Sequence, residues 1–309
     1  MTSPARRSTR TITLLALVAM IGCHFGHRSV LGFGGRAASA QTGTNLLVAR
    51  DVLYKTEGGD PKLNTLDVYA QPVVHGRPVV IFIHGGGWRR GDKSTVTGEK
   101  AEAFSKHGYV FVTINYRLTP DVRHPVLAQD CAAAIGWVHK HIAEYGGDPD
   151  RLFIMGHSAG AQLAALVCTD NRYLKAEGVP MKSVRGCIPL DGEYNLTSSG
   201  PRPRIVESIL NQAFGNDPAV RRDASPLYHV AAGKDIPPFL ILPVATRAPS
   251  VAQSNELAQA LRAVNVRAEV EPAAGKNHAT LNRELGDAGD VPTEQTYRFI
   301  DGIVKTAKS

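Results

Sequence analysis

The sequence predicts one α/β domain: a mostly parallel, doubly wound sheet flanked by helices, with a small lid inserted. Three observations carry this. From about residue 46 onward, short apolar runs of strand length alternate with longer segments of helical periodicity. The runs 78–83 and 152–155 are apolar almost throughout, as strands covered on both faces must be. Each then leads into glycine-rich chain, HGGGW at 84–88 and GHSAG at 156–160.

In chain order, 66–70 reads as a strand, 78–83 as a buried strand, 101–107 as a helix and 109–115 as a strand. Segment 129–145 has helical spacing, with Ile135, Val138 and Ile142 on one face, and stops at Gly146-Gly147. A strand over 152–155 passes through GHSAG into a helix over 161–168. Strands follow at 186–190 and 239–245, a helix at 255–264, a last strand at 267–270 and a closing helix at 294–305. The stretch 194–229, rich in Pro, Arg and Ser, interrupts the alternation and is expected to form a lid over the strand ends. The domain is thus expected to span 46–305.

The formal charge is +7, from 35 Lys+Arg against 28 Asp+Glu. Five arginines (Arg6, Arg7, Arg10, Arg28, Arg36) fall in residues 1–40, which contain no acid, so the remainder is near +2. Basicity therefore belongs to the N-terminal segment, and nothing points to nucleic acid. That segment joins a basic start to an apolar run too short for a comfortable membrane span, then Ala38-Ser39-Ala40. It reads as an export signal cleaved after Ala40, implying a periplasmic or secreted protein; lipidation at Cys23 or a retained membrane anchor are the alternatives. Cys131, Cys168 and Cys187 lack metal or redox spacing and read as small buried hydrophobes, with one disulfide left open. No metal spacing, phosphate loop or dinucleotide fingerprint is present, so no cofactor is implied. Oligomeric state leaves no signature.

The chemistry lies in the two glycine motifs. Gly156-His157-Ser158-Ala159-Gly160 sits between an apolar strand and an apolar helix, the context of a strained strand–turn–helix elbow that lifts a serine hydroxyl off the sheet. Ser158 is the candidate nucleophile. In His84-Gly85-Gly86-Gly87-Trp88, backbone N–H groups without side-chain obstruction can approach a substrate oxygen. The N–H groups of Gly86, Gly87 and Ala159 are the candidate oxyanion donors, each such donor being worth about 2.7–4 kcal/mol. Trp88 is a candidate wall of the acyl pocket, whereas Trp137 reads as core. Arg89, Arg90, Arg202, Arg204, Arg221 and Arg222 suit either an anionic substrate or, as the plainer reading, a solvated basic edge.

With HGGGWRRGDKS at 84–94, NYRLTP at 115–120, YGGDPDRL at 145–152, GHSAGAQLA at 156–164, DASPL at 223–227 and GKNHATLN at 275–282, the chain resembles α/β-hydrolases of the esterase/lipase type. It is most similar to carboxylesterases of the BD-FAE kind (bifunctional feruloyl and acetyl-xylan esterases), with kynurenine formamidase-like members as neighbours. The resemblance implies an α/β-hydrolase fold, Ser158 as nucleophile and His278, after the last strand, as general base. It also implies an acid in the loop after strand 239–245. Residues 246–252, TRAPSVA, contain none. Three readings follow: Asp191, after strand 186–190, supplies the acid from a neighbouring strand end; Thr246, Ser250 or a backbone carbonyl holds the imidazole in a Ser–His dyad; or the site has decayed into a ligand- or partner-binding protein. The expected activity is cleavage of a small-molecule carboxylic ester, acetyl or feruloyl groups on polysaccharide being the favoured case and arylformamide hydrolysis the alternative. The few residues between the expected mature start and His84 leave no room for a large N-terminal cap, which favours an open cleft and short acyl groups.

Overall fold

The structure, a computed structural model, describes residues 46–72, 75–95, 98–198 and 203–306. The expected leader, residues 1–40, lies outside them, as does Arg202. The strands are β1 (Leu47–Leu53), β2 (Thr65–Ala70), β3 (Arg77–Ile83), β4 (Val110–Ile114), β5 (Gly147–His157), β6 (Val184–Leu190), β7 (Phe239–Ile241) and β8 (Ala268–Val270). They form one sheet in the order β1-β2-β4-β3-β5-β6-β7-β8. β1–β2 and β2–β4 pair antiparallel; every pair from β4 onward is parallel.

Helices α1 (Gly98–His107), α2 (Val126–His141), α3 (Ala159–Thr169), α4 (Asn171–Ala176), α5 (Arg204–Phe214), α6 (Pro218–Asp223), α7 (Ala248–Ala263), α8 (His278–Arg283) and α9 (Val291–Thr306) complete the domain. Alternation along the strands divides the core. Val79, Ile81 and Ile83 of β3 pack with Leu127 and Cys131 of α2, Leu163 of α3 and Leu257 of α7. Val80 and Phe82 face the other way, among Phe104 of α1 and Tyr297, Ile300 and Ile303 of α9. Burying each such aliphatic side chain contributes about 1.5–3 kcal/mol. A strand with both faces covered must be apolar at every position, which is why 78–83 carries no polar alternation.

Several boundaries depart from the sequence reading. The helix expected at 129–145 begins at Val126 and tightens after His141 into a 3-10 turn, closed by Gly146 at φ 81°. The strand expected at 152–155 extends over Gly147–His157. Regular pairing of β7 ends at Ile241, and isolated bridges at Leu242 and Val244 continue the line; Pro243 between them has no N–H to offer a ladder. α7 starts at Ala248 rather than 255, because Pro249 occupies its first turn, where no N–H is needed, and Ser250 and Ser254 are buried on a face that hydrophobic periodicity does not reveal. β1, α4 and α8 had no sequence assignment. Cys131, Cys168 and Cys187 are buried free thiols, not a disulfide. No helix among the described residues is long and apolar enough to cross a membrane.

Candidate active site

Adjacent parallel strands bring the two glycine motifs together. Ile83 pairs with Gly156 across β3 and β5, so His84 and Ser158 leave neighbouring strand ends on the same edge. Ser158 sits at φ 57°, ψ −119°, between the end of β5 and the first residue of α3. Such a conformation typically costs about 1–3 kcal/mol and persists only where the surroundings enforce it. They do so by close packing: a Cβ on Gly160 would lie 2.2 Å from the Ile83 carbonyl oxygen, and one on Gly156 would lie 2.3 Å from that of Gly160. The elbow glycines are therefore required by backbone contact, and the serine hydroxyl is what remains exposed to the cleft.

His278 Nε2 lies 2.9 Å from Ser158 Oγ. Its ring is aimed by the local sequence. Asn277 caps α8 by accepting from the N–H of Ala279 and Thr280, while Thr280 Oγ1 accepts from the Asn277 N–H. His278 thus becomes the first residue of a short helix rather than part of a free loop. Two side chains not singled out by sequence reading hold it further. His157 Nε2 donates to the His278 carbonyl at 2.8 Å; burial and the neighbouring His278 ring push the His157 pKa down to about 3, so it is a neutral donor. Lys100, whose pKa burial lowers to about 8, donates to the Asn282 carbonyl at 2.6 Å and so secures the far end of α8.

Asp191 follows β6 at φ 51° and is buried. Its Oδ2 accepts from His278 Nδ1 at 2.5 Å. Its Oδ1 accepts from the Val244 N–H at 3.1 Å and from Ser250 Oγ. Burial alone would raise this carboxyl's pKa, but the bonds from His278, Ser250 and Val244, with the Arg247 cation, hold it well below the usual carboxylate range. Ser250, one of the groups considered for a Ser–His dyad, instead bonds to Asp191. The segment 246–252, expected to be a loop, is mostly the first turn of α7, and it sends Arg247 toward Asp191 and His278.

The HGGGW chain is fixed by the NYRLTP segment. Tyr116 stacks on His84 with ring centroids 4.5 Å apart and donates its hydroxyl to the His84 carbonyl. The Thr119 N–H donates to the Trp88 carbonyl at 2.8 Å, and the Lys93 N–H to Asn115 Oδ1 at 2.6 Å. Gly86 stands at φ 119°, with the Arg90 carbonyl oxygen 2.0 Å from where a Cβ would be, so no other residue fits. Trp88 is buried; its Nε1 donates to Gln162 Oε1, and Gln162 Nε2 donates to the Ala224 carbonyl of the DASPL segment. Gln162 is a further supporting residue that motif reading passes over. Among the described residues, the N–H groups of Gly86, Gly87 and Ala159 donate to no protein acceptor.

These groups line a cavity of about 660 Å³ with Arg89, Arg90, Glu193 and Arg247. Ile205, Val206, Ile209 and Leu210 of α5 supply an apolar wall, Ile209 standing over Gly87. That volume falls within the usual range for small-molecule sites, about 300–1,000 Å³. Trp137, by contrast, stacks on His141 on the outer side of α2 while packing partly against the core. No cluster of metal-ligating side chains occurs among the described residues.

A serine, an imidazole and a carboxylate in hydrogen-bonded series at the strand ends of this sheet define an α/β-hydrolase. The family model for BD-FAE matches residues 66–261, and the chain belongs to that family. It is 32% identical over 204 residues to the probable carboxylic ester hydrolase LipM of Mycobacterium tuberculosis, covering 62% of this chain and 46% of that protein. To the probable isoprenylcysteine α-carbonyl methylesterase ICMEL1 of Arabidopsis thaliana it is 31% identical over 257 residues, covering 76% and 51%. The chain spans about half the length of these curated relatives. The crystal structure of esterase B from Lactobacillus rhamnosis superposes with a TM-score of 0.71 at 23% identity, covering 85% of this chain and 87% of that one, a likeness of fold.

Proposed function

We propose that this protein is a serine carboxylesterase that cleaves small carboxylic esters through an acyl-enzyme on Ser158. One observation carries the reading: the unbroken series Ser158 Oγ, His278 Nε2, His278 Nδ1, Asp191 Oδ2, with separations of 2.9 and 2.5 Å across its two hydrogen bonds. Ser158 Oγ attacks the ester carbonyl carbon as His278 Nε2 takes the hydroxyl proton. The N–H groups of Gly86, Gly87 and Ala159 stabilise the oxyanion of the tetrahedral intermediate. When the C–O bond to the alcohol breaks, His278 returns the proton to the departing oxygen. Water, deprotonated by the same imidazole, then attacks the acyl carbon and releases the acid and free Ser158.

Asp191 fixes the tautomer with its proton on Nδ1 and stabilises the imidazolium formed in each half-reaction. It fills this role from the end of β6, the strand next to the elbow strand. The proposed substrates are small carboxylic esters, acetyl or feruloyl groups on polysaccharide being the favoured case. Family membership and the apolar α5 wall beside Gly87 support this choice. Export of the protein through its basic and apolar N-terminal segment accords with a polysaccharide substrate.

The test is covalent labelling with a fluorophosphonate, read by intact mass. Wild type is expected to gain one adduct on Ser158, and Ser158→Ala none. A folded wild-type protein that stays unlabelled would contradict the reading.

A further inference from the structure

Arg247 sits where the family resemblance implied an acid, and its placement exceeds what Asp191 requires. Asp191 already receives hydrogen bonds from His278, Ser250 and the Val244 N–H. Arg247 adds one nitrogen, Nη1, to Asp191 Oδ2, and that nitrogen lies 2.9 Å from His278 Nδ1. Its Nε and Nη2 have no protein hydrogen-bond partner among the described residues. The side chain is 45% exposed and lines the cavity. A residue at the cavity wall thus keeps two donors of its planar fork without a protein partner, and such a fork pairs with a carboxylate.

The cation also has a chemical cost. During turnover His278 becomes an imidazolium, and a guanidinium beside it opposes that charge while sharing the same carboxylate oxygen. A bound anion on the outer face of Arg247 would neutralise this repulsion when the imidazolium forms. Arg89 and Arg90 line the same cavity just past the oxyanion glycines; both are exposed and have no ion pair among the described residues. Of the acidic residues in the lining, Asp191 is committed to His278, and Glu193 is itself engaged.

We propose that the site selects esters whose alcohol portion carries a carboxylate, with Arg247 as the residue that binds it. This deepens the esterase reading and rests on it. The alcohol portion is assigned to Arg247 because the leaving oxygen must approach Nε2 of His278, the residue whose Nδ1 edge Arg247 adjoins, whereas the α5 wall stands over Gly87. Arg89 and Arg90 draw the anion toward the cavity mouth.

The experiment compares 4-acetoxybenzoate with its neutral counterpart 4-acetoxybenzamide, using the full chain. Wild type is expected to favour the carboxylate by about tenfold in kcat/KM, with KM lowered by the ion pair and kcat raised because the anion offsets the repulsion felt by the imidazolium. The preference should shrink in about 0.5 M salt, because Arg247 is half-exposed. Arg247→Gln is expected to bring the ratio to near one, whatever happens to its rate on the amide, and Arg247→Lys to keep part of it. A wild-type ratio near or below one, or a preference that survives in Arg247→Gln, would overturn the proposal. If neither ester is cleaved faster than by Ser158→Ala, the esterase reading fails instead. Calorimetric titration with 4-hydroxybenzoate then decides the anion site: binding that is lost in Arg247→Gln supports it, and no binding by wild type overturns it.

Discussion

Asp191 uses its two oxygens differently: Oδ2 faces the imidazole, and Oδ1 is tied to Ser250 and the Val244 N–H, which keep the carboxylate from turning away. Replacing Asp191 by Asn presents either an amide donor to the Nδ1 proton or an acceptor without charge. Turnover of an activated ester by Asp191→Asn is expected to fall by about 10⁴, with folding retained; a change under about threefold would remove Asp191 from the role. Ser250→Ala should lower turnover far less, because Asp191 keeps its contacts to His278 and Val244. The residues that meet at this site were legible in unequal measure. Ser158 and His278 stood in recognisable motifs, and Asp191 was one of three readings because an acid at a strand end has more than one use. Arg247, His157 and Gln162 were not legible as supports. Each acts through a contact between residues far apart in sequence, such as the 121-residue separation of His157 and His278.

At the scale of elements, the site depends on two short pieces of chain held from outside. α8 has six residues and cannot persist on intrinsic helix propensity. Its capping box at Asn277 and the Lys100 bond at its C-terminal end supply the stability that length does not. Asn277→Ala is expected to cost about 1 kcal/mol by denaturant titration and to lower kcat more than it raises KM, since the cap aims His278 rather than binding substrate. Unchanged kcat would show that the cap is irrelevant to the ring's position. The elbow is less tolerant: Gly160→Ala places a methyl group 2.2 Å from the Ile83 carbonyl and should prevent the native strand–helix packing, read as loss of the cooperative unfolding transition. Long, strongly patterned elements such as β3, β4 and α3 were readable because both faces or one full stripe are apolar. The start of α7 was not, because Ser250 and Ser254 occupy its inward face in place of hydrophobes, and Ser250 bonds to Asp191.

For the molecule as a whole, buried histidines couple stability to pH. Burial pushes His84, His124 and His157 below the ordinary histidine value, His157 to about 3. In the unfolded chain these groups take up protons near pH 6.5. Below that pH the unfolded state binds more protons than the folded one, so stability falls as the solution is acidified from about 6.5 toward 3. Asp191 acts in the same direction lower down: its depressed folded pKa contributes stability above the unfolded carboxylate value of about 3.9, lost as pH falls further. His157→Gln keeps a donor toward the His278 carbonyl without a titrating group. It should flatten the slope of unfolding free energy between pH 4 and 6 by up to about 1.4 kcal/mol per pH unit; an unaltered slope would mean that His157 does not carry this proton linkage. The sheet order makes all of this one system, since β3, β5 and β6 are successive neighbours whose ends lead into the glycines proposed to bind the oxyanion, Ser158 and Asp191. The most direct measurement is steady-state hydrolysis of 4-nitrophenyl acetate by wild type beside Ser158→Ala. The geometry predicts saturable turnover that the variant lacks. Equal rates from two folded proteins would contradict the esterase account and leave a hydrolase fold without its chemistry.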